Sequence, residues 1–132
     1  MARPAGYSGK PLWQKLGLKP GMTCCVIYPP VPYEDLVEGA QDIVFIKEGS
    51  ADLVHLFCRK RADLEAAVKP ALAQVAPGGM LWVSWPKKSS ALYLDLTEDG
   101  LREVLLPTGW VDVKVCAVDA DWSGLKFLKR KT

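Results

Sequence analysis

A chain of 132 residues with 49% hydrophobic and 24% charged side chains has the size and balance of one globular domain with one core, which leaves no room for a second domain. Its 17 basic and 15 acidic side chains give a net charge near +2, too small to indicate nucleic acid or a membrane surface as the partner. No window approaches the roughly 20 apolar residues that cross a bilayer, and MARPAGYSGKPLWQK contains no apolar stretch of signal-peptide length, so we expect a cytoplasmic protein.

Glycine and proline punctuate the first 21 residues, with one short helical candidate, Leu12–Leu16, between them. We predict an N-terminal arm over residues 1–21 that lies across a core formed by residues 22–132. The segment GYSGKP does not match a phosphate loop, because only two residues separate its glycines and Pro11 follows its lysine. We interpret its glycines as shaping the arm, and a backbone nest for an anion is the alternative.

Three short apolar runs follow, and each predicts a buried strand. They are TCCVIYPP, which Pro29 and Pro30 close, then QDIVFIKEG, then ADLVHLFC. A short helix is predicted between the first two runs, near Pro32 to Glu38.

The segment RADLEAAVKPALAQVAPGG predicts an amphipathic helix in which Asp63 caps the start and Gly78 the end. An interior proline such as Pro70 costs about 3 kcal/mol, but the apolar positions continue in phase beyond it, so we expect a kink rather than a break. These positions are Leu64, Ala67, Val68, Ala71, Leu72 and Val75.

The rest of the chain predicts a fourth strand, a further helix and a closing hairpin. GMLWVSW is the strand, and TEDGLREVLLPTG is the helix, whose Thr97 is placed to cap the first amides. VDVKVCAV and SGLKFLKR are strand-like and are joined by DADW, which is too short for a helical crossover, so they should pair antiparallel.

Strands that alternate with helices predict one three-layer, Rossmann-like α/β domain with a mainly parallel sheet and an antiparallel closing hairpin. The order of APGGMLWVSWPK, a helix and a hairpin resembles the second half of a class I methyltransferase fold. In that fold and in dinucleotide-binding folds, the turn after the first strand is glycine-rich, so that the backbone approaches the cofactor. Here that turn is YPPVPYEDL, whose three prolines remove amide donors. We therefore expect a degenerate version of the fold that binds no S-adenosylmethionine (SAM), NAD or FAD in the usual way.

Cationic side chains follow the strands beyond their carboxyl ends, the edge where open α/β sheets bind ligands. Six cations and one carboxylate, Glu48, fall there in a nearly neutral chain. This surplus predicts an anionic small molecule or an acidic protein surface as the partner, and solubilising charge at strand ends is the alternative. The cations are Lys47, Arg59, Lys60, Arg61, Lys87 and Lys88.

Two tryptophans in the fourth strand have opposite parity, so Trp82 and Trp85 should face opposite sides of the sheet. We predict that Trp82 belongs to the core. For Trp85, which precedes Pro86, core packing and the lining of a pocket both stay open.

His55 and the cysteines carry no evident chemistry. His55 is the only histidine and lies mid-strand, which favours a hydrogen-bonded core residue. Cys58 ends the third strand beside three cations, which would lower its thiol pKa, but no base is evident to activate it. The four cysteines lack C-x-x-C spacing and lie in strand-like runs, so we expect neither a disulfide nor structural zinc.

Four segments, GYSGKPL, MLWVSWPKKSS, VDVKVCAVD and DWSGLKF, together resemble a bacterial family known only as domain of unknown function 3052, short proteins with a methyltransferase-like Rossmann topology. The resemblance spans nearly the whole chain and implies no activity. It matches the Pro-Lys pair of the family to Pro86 and Lys87, and its Trp-Ser-Gly to Trp122, Ser123 and Gly124. If the hairpin is built as in methyltransferases, these two motifs meet at one edge.

We predict a non-catalytic binding or regulatory module that takes an anionic ligand or partner at this basic edge. One alternative is an enzyme acting on a phosphorylated or carboxylated metabolite, with Lys87 stabilising charge and Ser89, Ser123 or Cys58 reacting. The other is a nucleic-acid binder that uses the edge and the basic tail at 129–131, which the small net charge disfavours. The predicted ligand-binding residues are Arg59, Lys60, Trp85, Pro86, Lys87, Lys88, Ser89, Trp122, Ser123 and Gly124.

Overall fold

A six-stranded sheet with helices on both faces forms the domain, and a computed structural model describes its residues 10–131. No helix in this range is long and apolar enough to cross a membrane. The helices are α1 Leu12–Leu16, α2 Tyr33–Leu36, α3 Arg61–Ala73 and α4 Glu98–Leu105, with a 3₁₀ turn at Leu106–Thr108. The strands are β1 Thr23–Ile27, β2 Val44–Ile46, β3 Ala51–Phe57, β4 Val75–Pro86, β5 Trp110–Ala117 and β6 Trp122–Lys129.

The strand order across the sheet is β2-β1-β3-β4-β6-β5. The first four strands run parallel, and β6 runs antiparallel to both of its neighbours. This arrangement confirms the predicted α/β class, the mainly parallel sheet and the closing hairpin. The register sets Ser123 opposite Trp85 and Trp122 opposite Pro86, so the two motifs of the hairpin and the fourth strand do meet at one edge.

Two apolar clusters, one on each face of the sheet, hold the three layers together. Helices α3 and α4 cover the first cluster, to which Leu101 contributes, and α1 and α2 cover the second, to which Tyr33 contributes. Trp85 packs in the first cluster and Trp82 in the second. The predictions that the two tryptophans face opposite sides and that Trp82 is core are therefore confirmed.

The short helix α1 is anchored in the second cluster. Leu16 and Leu18 are fully buried, and the indole Nε1 of Trp82 donates to the Leu16 carbonyl oxygen at 2.9 Å. Gly17 ends the helix with φ at 91°, a left-handed conformation that favours glycine. Leu16 and Leu18 of the predicted arm thus belong to the core, and the arm's boundary at residue 21 stays a prediction. Residues 6–9 of the GYSGKP segment lie outside the described residues.

Helix α3 begins differently from the prediction. Its N-cap is Lys60, whose side chain makes no capping bond, and Asp63 lies inside the first turn. The Arg61 amide instead donates to Oδ1 of Asp95 at 3.0 Å. The assignment of Asp63 as the cap was wrong because a carboxylate from a distant loop takes that role.

The end of α3 also differs from the prediction. The helix stops at Ala73 because the chain enters β4 at Val75, which pairs with Ala51 of β3. Gly78 therefore lies within a strand, and its assignment as the helix end was wrong. Pro70 stands inside a helix that continues on both sides of it, so it does not break the helix, as expected.

Helix α4 is capped as predicted and tied to the hairpin by ion pairs. The Thr97 hydroxyl accepts a hydrogen bond from the Gly100 amide at 3.0 Å. The Arg102 guanidinium binds three carboxylates, and its bonds to Asp112 and then Glu98 raise its pKa above the ordinary value. Since one of the three belongs to β5, the helix is fixed against the sheet. The partners are Glu98, Asp99 and Asp112.

Only four residues, 47–50, connect β2 to β3. The two strands lie on opposite sides of β1, so the connection crosses β1, with bends at 47–49 and a φ of 100° at Gly49. Such a parallel crossover normally takes a dozen or more residues and a helix. The connection passes over Cys25, whose Sγ lies 3.6 Å from the Lys47 carbonyl oxygen. No connecting helix covers the carboxyl end of β1, and Ile27 there is only partly buried.

Trp82→Phe should lower the free energy of unfolding by about 2–4 kcal/mol, because the smaller ring leaves a cavity and the Leu16 carbonyl loses its donor. Urea unfolding followed by circular dichroism measures this. Trp110→Phe is the matched control, since Trp110 is buried in β5 but its indole makes no hydrogen bond to residues 10–131. Equal losses in the two variants would contradict the anchoring role of Trp82.

Candidate functional site

A cleft with a volume of about 830 Å³ lies at the carboxyl ends of β1, β2 and β3. The chain progresses in opposite directions across the sheet on the two sides of the β1–β3 boundary, and open α/β sheets bind ligands at such switch points. We call it the main cleft. Its apolar walls include Ile27, Phe57, Ala67, Pro70 and Trp122.

Three side chains that are charged at neutral pH line the main cleft, namely Lys47, Arg59 and Asp63. The Arg59 guanidinium donates from Nε and Nη2 to the Leu92 carbonyl oxygen, at 3.2 and 3.1 Å. A carbonyl oxygen fixes the guanidinium in place without neutralising its charge. Arg59 is therefore a preorganised cation, while Asp63 contributes a negative charge from the α3 side.

The turn after β1 carries strained backbone at the rim of the main cleft. Tyr28 has φ at 58°, in the left-handed region that bulky side chains rarely adopt, and its side chain is 71% exposed. Pro29, Pro30 and Pro32 follow and have no amide hydrogen. Prolines thus occupy the place where a glycine-rich turn would present backbone donors.

Cys58 lies at the base of the main cleft with only 3% of its surface exposed. Burial, together with the nearby Asp63 carboxylate, raises the pKa of its thiol to about 12. The thiol is therefore protonated at neutral pH, and the hypothesis of a lowered pKa was wrong. All four cysteines are unpaired. In the part of the chain that the structure describes, no three His, Cys, Asp or Glu side chains converge as metal ligands would.

Lys87 and Lys88 line a different cleft, of about 390 Å³, which we call the lysine-edge cleft. The Lys87 amide donates to the Asp121 carbonyl oxygen at 2.8 Å, which joins this loop to the hairpin. Glu98 and Asp99 line the same cleft, although both are also paired with Arg102. The local surplus of positive charge at Lys87 and Lys88 is therefore smaller than the sequence indicated.

Arg61 also contributes less free charge than the sequence indicated. Its guanidinium binds Glu65 of the same helix at 3.3 Å and Glu103 of α4. These pairs connect α3 to α4 and raise the pKa of Arg61. Of the six cations predicted at the edge, this one serves helix packing.

Four of the ten predicted binding residues are largely buried, namely Trp85, Pro86, Trp122 and Gly124. Trp122 packs edge-on against Phe57, with 5.4 Å between ring centroids, and still lines the main cleft. A Cβ added to Gly124 would lie 3.2 Å from the Ser84 hydroxyl oxygen, so this glycine is needed for close packing.

The ten residues do not form one site. The main cleft contains Arg59 and Trp122, and the lysine-edge cleft contains Trp85, Lys87, Lys88 and Ser123. Lys60 and Ser89 are exposed and line neither cleft, nor do Pro86 and Gly124.

Sequence reasoning missed the α3 wall of the main cleft. Ala66, Ala67, Pro70 and Gln74 line it, yet a helix face of small residues is also what packing against a sheet requires. The exposed Tyr28 also lines the main cleft and was not among the predicted binding residues. The positive φ of Tyr28 could not be predicted from the sequence, because tyrosine rarely adopts a left-handed backbone conformation.

His55 is a fully buried, hydrogen-bonded core residue, as predicted. Its Nδ1 lies 2.8 Å from the Tyr33 hydroxyl oxygen, and its Nε2 lies 2.7 Å from the Ser84 hydroxyl oxygen. Burial lowers the pKa of His55 to about 3, so the ring is neutral at pH 7. A neutral imidazole donates from one nitrogen and accepts at the other, so both bonds are satisfied without a charge.

No family model and no curated protein matches the sequence. Solved structures do match. A SAM-dependent methyltransferase from Aquifex aeolicus has a TM-score of 0.60 at 13% identity, over 88% of this chain and 86% of that chain. The glycopeptide N-methyltransferase MtfA has a TM-score of 0.60 at 10% identity, over 89% of this chain and 87% of that chain. The M. jannaschii tRNA m1G37 methyltransferase has a TM-score of 0.62 at 12% identity, over 92% and 48%.

These similarities establish the fold. The chain has a Rossmann-like, methyltransferase-like architecture, as the order of its elements predicted. Identities of 10–13% carry no activity from those proteins to this one.

Lowering the pH from 7 to 5 should reduce the free energy of unfolding by about 2 kcal/mol. The reason is that His55 binds a proton in the unfolded state over this pH range but stays neutral in the folded state. The folded-state pKa of His55, about 3, lies below the unfolded value, so its contribution is complete above pH 6.5 and is lost as pH falls towards 3. Urea unfolding at several pH values measures this slope.

His55 is the only histidine, so His55→Gln should flatten the slope between pH 7 and 5. In the unsubstituted protein, imidazole ¹⁵N shifts should keep their neutral positions at pH 5. Protonation of the ring in the folded protein at that pH would refute the prediction.

Proposed function

We propose that this chain is a non-catalytic ligand-binding module on a methyltransferase-like scaffold, and that it binds an anionic small molecule in the main cleft. The ligand has an apolar body and a phosphate or carboxylate group. Arg59 and Lys47 contact the anionic group, while the wall that includes Ile27, Ala67 and Trp122 contacts the apolar body.

The observation that carries this proposal is the state of Arg59. Its guanidinium is held by the Leu92 carbonyl oxygen rather than by a carboxylate, so its position is fixed and its charge is available. Fixing a long side chain in advance reduces the entropy lost on binding. Lys47 adds a second, exposed cation at the same cleft. Tyr28 adds an exposed aromatic ring at the rim, which suits a planar ligand.

Binding rather than chemistry is supported by the groups that a reaction would use. Cys58 keeps its proton at neutral pH, and His55 is buried with both nitrogens occupied. The side chains of Ser89 and Ser123 form no hydrogen bond with any residue from 10 to 131, so no base among these residues is placed to activate them. A nucleophile needs such a base or a lowered pKa.

SAM is the cofactor that the scaffold suggests, since several of the similar structures are SAM-dependent methyltransferases or contain SAM. The residues at the turn after β1 do not fit it. Pro29 and Pro30 offer no amide donors. The Tyr28 side chain lies at the rim, where the backbone of a glycine-rich turn would otherwise contact the cofactor. Glu48 follows β2 at a position suited to a ribose, but it does not line the main cleft.

A thermal-shift screen against nucleotides, acyl-coenzyme A compounds and sugar phosphates should identify a ligand, because a compound at a hundred times its Kd stabilises by about 2.7 kcal/mol. For the best compound, Lys47→Ala with Arg59→Ala should weaken binding at least about tenfold, since each charge-assisted bond contributes about 1.5–3 kcal/mol. The melting temperature should change little, because both side chains are exposed.

Lys87→Ala with Lys88→Ala is the matched control, because it removes two cations from the other cleft. It should leave both affinity and melting temperature nearly unchanged. The reverse pattern would place the ligand at the lysine-edge cleft that the sequence predicted. No effect of either pair would mean that both basic surfaces are solvated faces.

Titration calorimetry with SAM should detect no binding at micromolar concentrations, because the turn after β1 lacks the backbone donors that would hold the cofactor. The same titration with S-adenosylhomocysteine should also give no heat. A micromolar Kd for either compound would refute both this expectation and the argument from the prolines.

A further inference from the structure

A cluster of lysines lies on the face of the sheet that α1 covers, away from both clefts described above. Lys10 and Lys15 come from the start of the described chain, and Lys114 and Cys116 come from β5. These four residues line a cleft of about 600 Å³ together with Val115, Ala117 and Ser123. Only Ser123 is shared with the lysine-edge cleft, and we call this third site the hairpin cleft.

A further lysine, Lys126 of β6, stands next to this cleft. Its backbone pairs directly with Lys114 in the antiparallel hairpin, so the two side chains lie on the same face of neighbouring strands. Like charges at directly opposed positions destabilise a sheet. The Lys114 ammonium also donates to the Lys15 carbonyl oxygen at 3.1 Å, which brings the hairpin lysines to α1.

Three of these lysines, Lys10, Lys114 and Lys126, form no ion pair with any residue from 10 to 131. No carboxylate among those residues lines the hairpin cleft. The sequence of residues 1–9, MARPAGYSG, contains no aspartate or glutamate. Burial, with the charge of Lys114 as the second cause, lowers the pKa of Lys126, so the cluster costs the folded chain free energy. An arrangement that opposes stability is expected where a ligand offsets the cost.

The floor of the hairpin cleft limits the kind of ligand. Cys116 is the apolar side chain on this face, because Val115 and Ala117 alternate with it and point to the opposite face of the sheet. The volume lies within the range of small-molecule sites. Burial raises the pKa of the Cys116 thiol despite the nearby lysines, so the thiol is neutral and the contact is non-covalent. Lysine ammonium groups bind phosphate oxygens as point charges.

We propose that the hairpin cleft is a second binding site, which takes a small molecule carrying two or more phosphate groups, as a nucleoside diphosphate does. Lys10, Lys114 and Lys126 bind the phosphates, and Cys116 with the adjacent β5 backbone contacts the remainder of the molecule. This site is independent of the anionic ligand proposed for the main cleft.

The test uses the full chain and titration calorimetry at fixed ionic strength, with inorganic pyrophosphate, ADP and adenosine as separate probes. Pyrophosphate and ADP should bind, ADP more tightly, and adenosine should not. Lys114→Gln with Lys126→Gln should weaken both phosphate probes at least about tenfold, in proportion to two lost charge-assisted contacts. Lys69→Gln with Lys129→Gln removes the same charge from exposed positions elsewhere and should change affinity less than about threefold.

Two further readouts separate a binding role from a structural one. Lys126→Gln should raise the melting temperature, because it removes a like-charge contact, whereas a structural lysine would lower it. In ¹H–¹⁵N spectra of the unsubstituted protein, pyrophosphate should shift the amides of residues 114–117 and 126, which locates the probe even if the double variant fails to fold.

Several results would overturn the proposal. The first is no binding of pyrophosphate or ADP at millimolar concentration. The second is a loss of affinity in the Lys69/Lys129 control as large as that in the Lys114/Lys126 variant, which would indicate a general effect of net charge. The third is a weaker affinity for pyrophosphate and ADP in the Lys47/Arg59 variant with an unchanged affinity in the Lys114/Lys126 variant, which would assign the phosphate site to the main cleft. Binding of a single-stranded oligonucleotide without binding of pyrophosphate or ADP would assign the cluster to nucleic acid instead.

Discussion

The four-residue connection between β2 and β3 is the constraint on which the main cleft depends. Strand β2 ends level with Cys25, while β3 begins on the other side of β1 and further back along it. Four residues, which bend at 47–49, are too few to form a connecting helix between the two strands. On the α3 face, the carboxyl end of β1 is consequently flanked by α3 and by no second helix, and the groove between Ile27 and Pro70 stays open. The same connection brings Lys47 to the mouth of that groove.

On the opposite face, the proline turn serves packing. The prolines carry the chain from β1 to α2, which delivers Tyr33 to the buried face of the sheet. The Tyr33 hydroxyl group then meets His55 of β3, and His55 meets Ser84 of β4, so one hydrogen-bonded chain joins three elements. His55 also stacks on Phe57, with 4.2 Å between ring centroids. The turn after β1 therefore has a structural role in this chain, because it positions Tyr33 for these contacts.

The sequence was sufficient where a local pattern decides the structure. Apolar runs predicted all six strands, and Leu12–Leu16 and the Thr97 cap were placed correctly because helix signals act within one turn. It was insufficient where a partner comes from far along the chain. The cap of α3 comes from Asp95, and the charge of Arg61 is taken by Glu103 of another helix.

The candidate site was predictable as an edge but not as a cleft. The ends of the strands place Arg59 and Lys87 at the same edge of the sheet. The helices that flank each strand then determine which of these side chains line the same cavity. The burial of Trp122 and the close packing at Gly124 follow from contacts across the sheet, with Phe57 and Ser84. Such contacts have no counterpart in the spacing of residues along β6.

The arginines and the lysines of this chain differ in how their charge is compensated. Arg61 and Arg102 bind five carboxylates between them, and their planar guanidinium groups hold helices against each other and against the sheet. Arg59 is held by a carbonyl oxygen and keeps its charge. The remaining surplus falls on lysines such as Lys114 and Lys126, which are point charges with little directional preference. For both proposed sites we therefore expect charge to attract an anion, and in the main cleft we expect selection among anions to depend on its apolar walls.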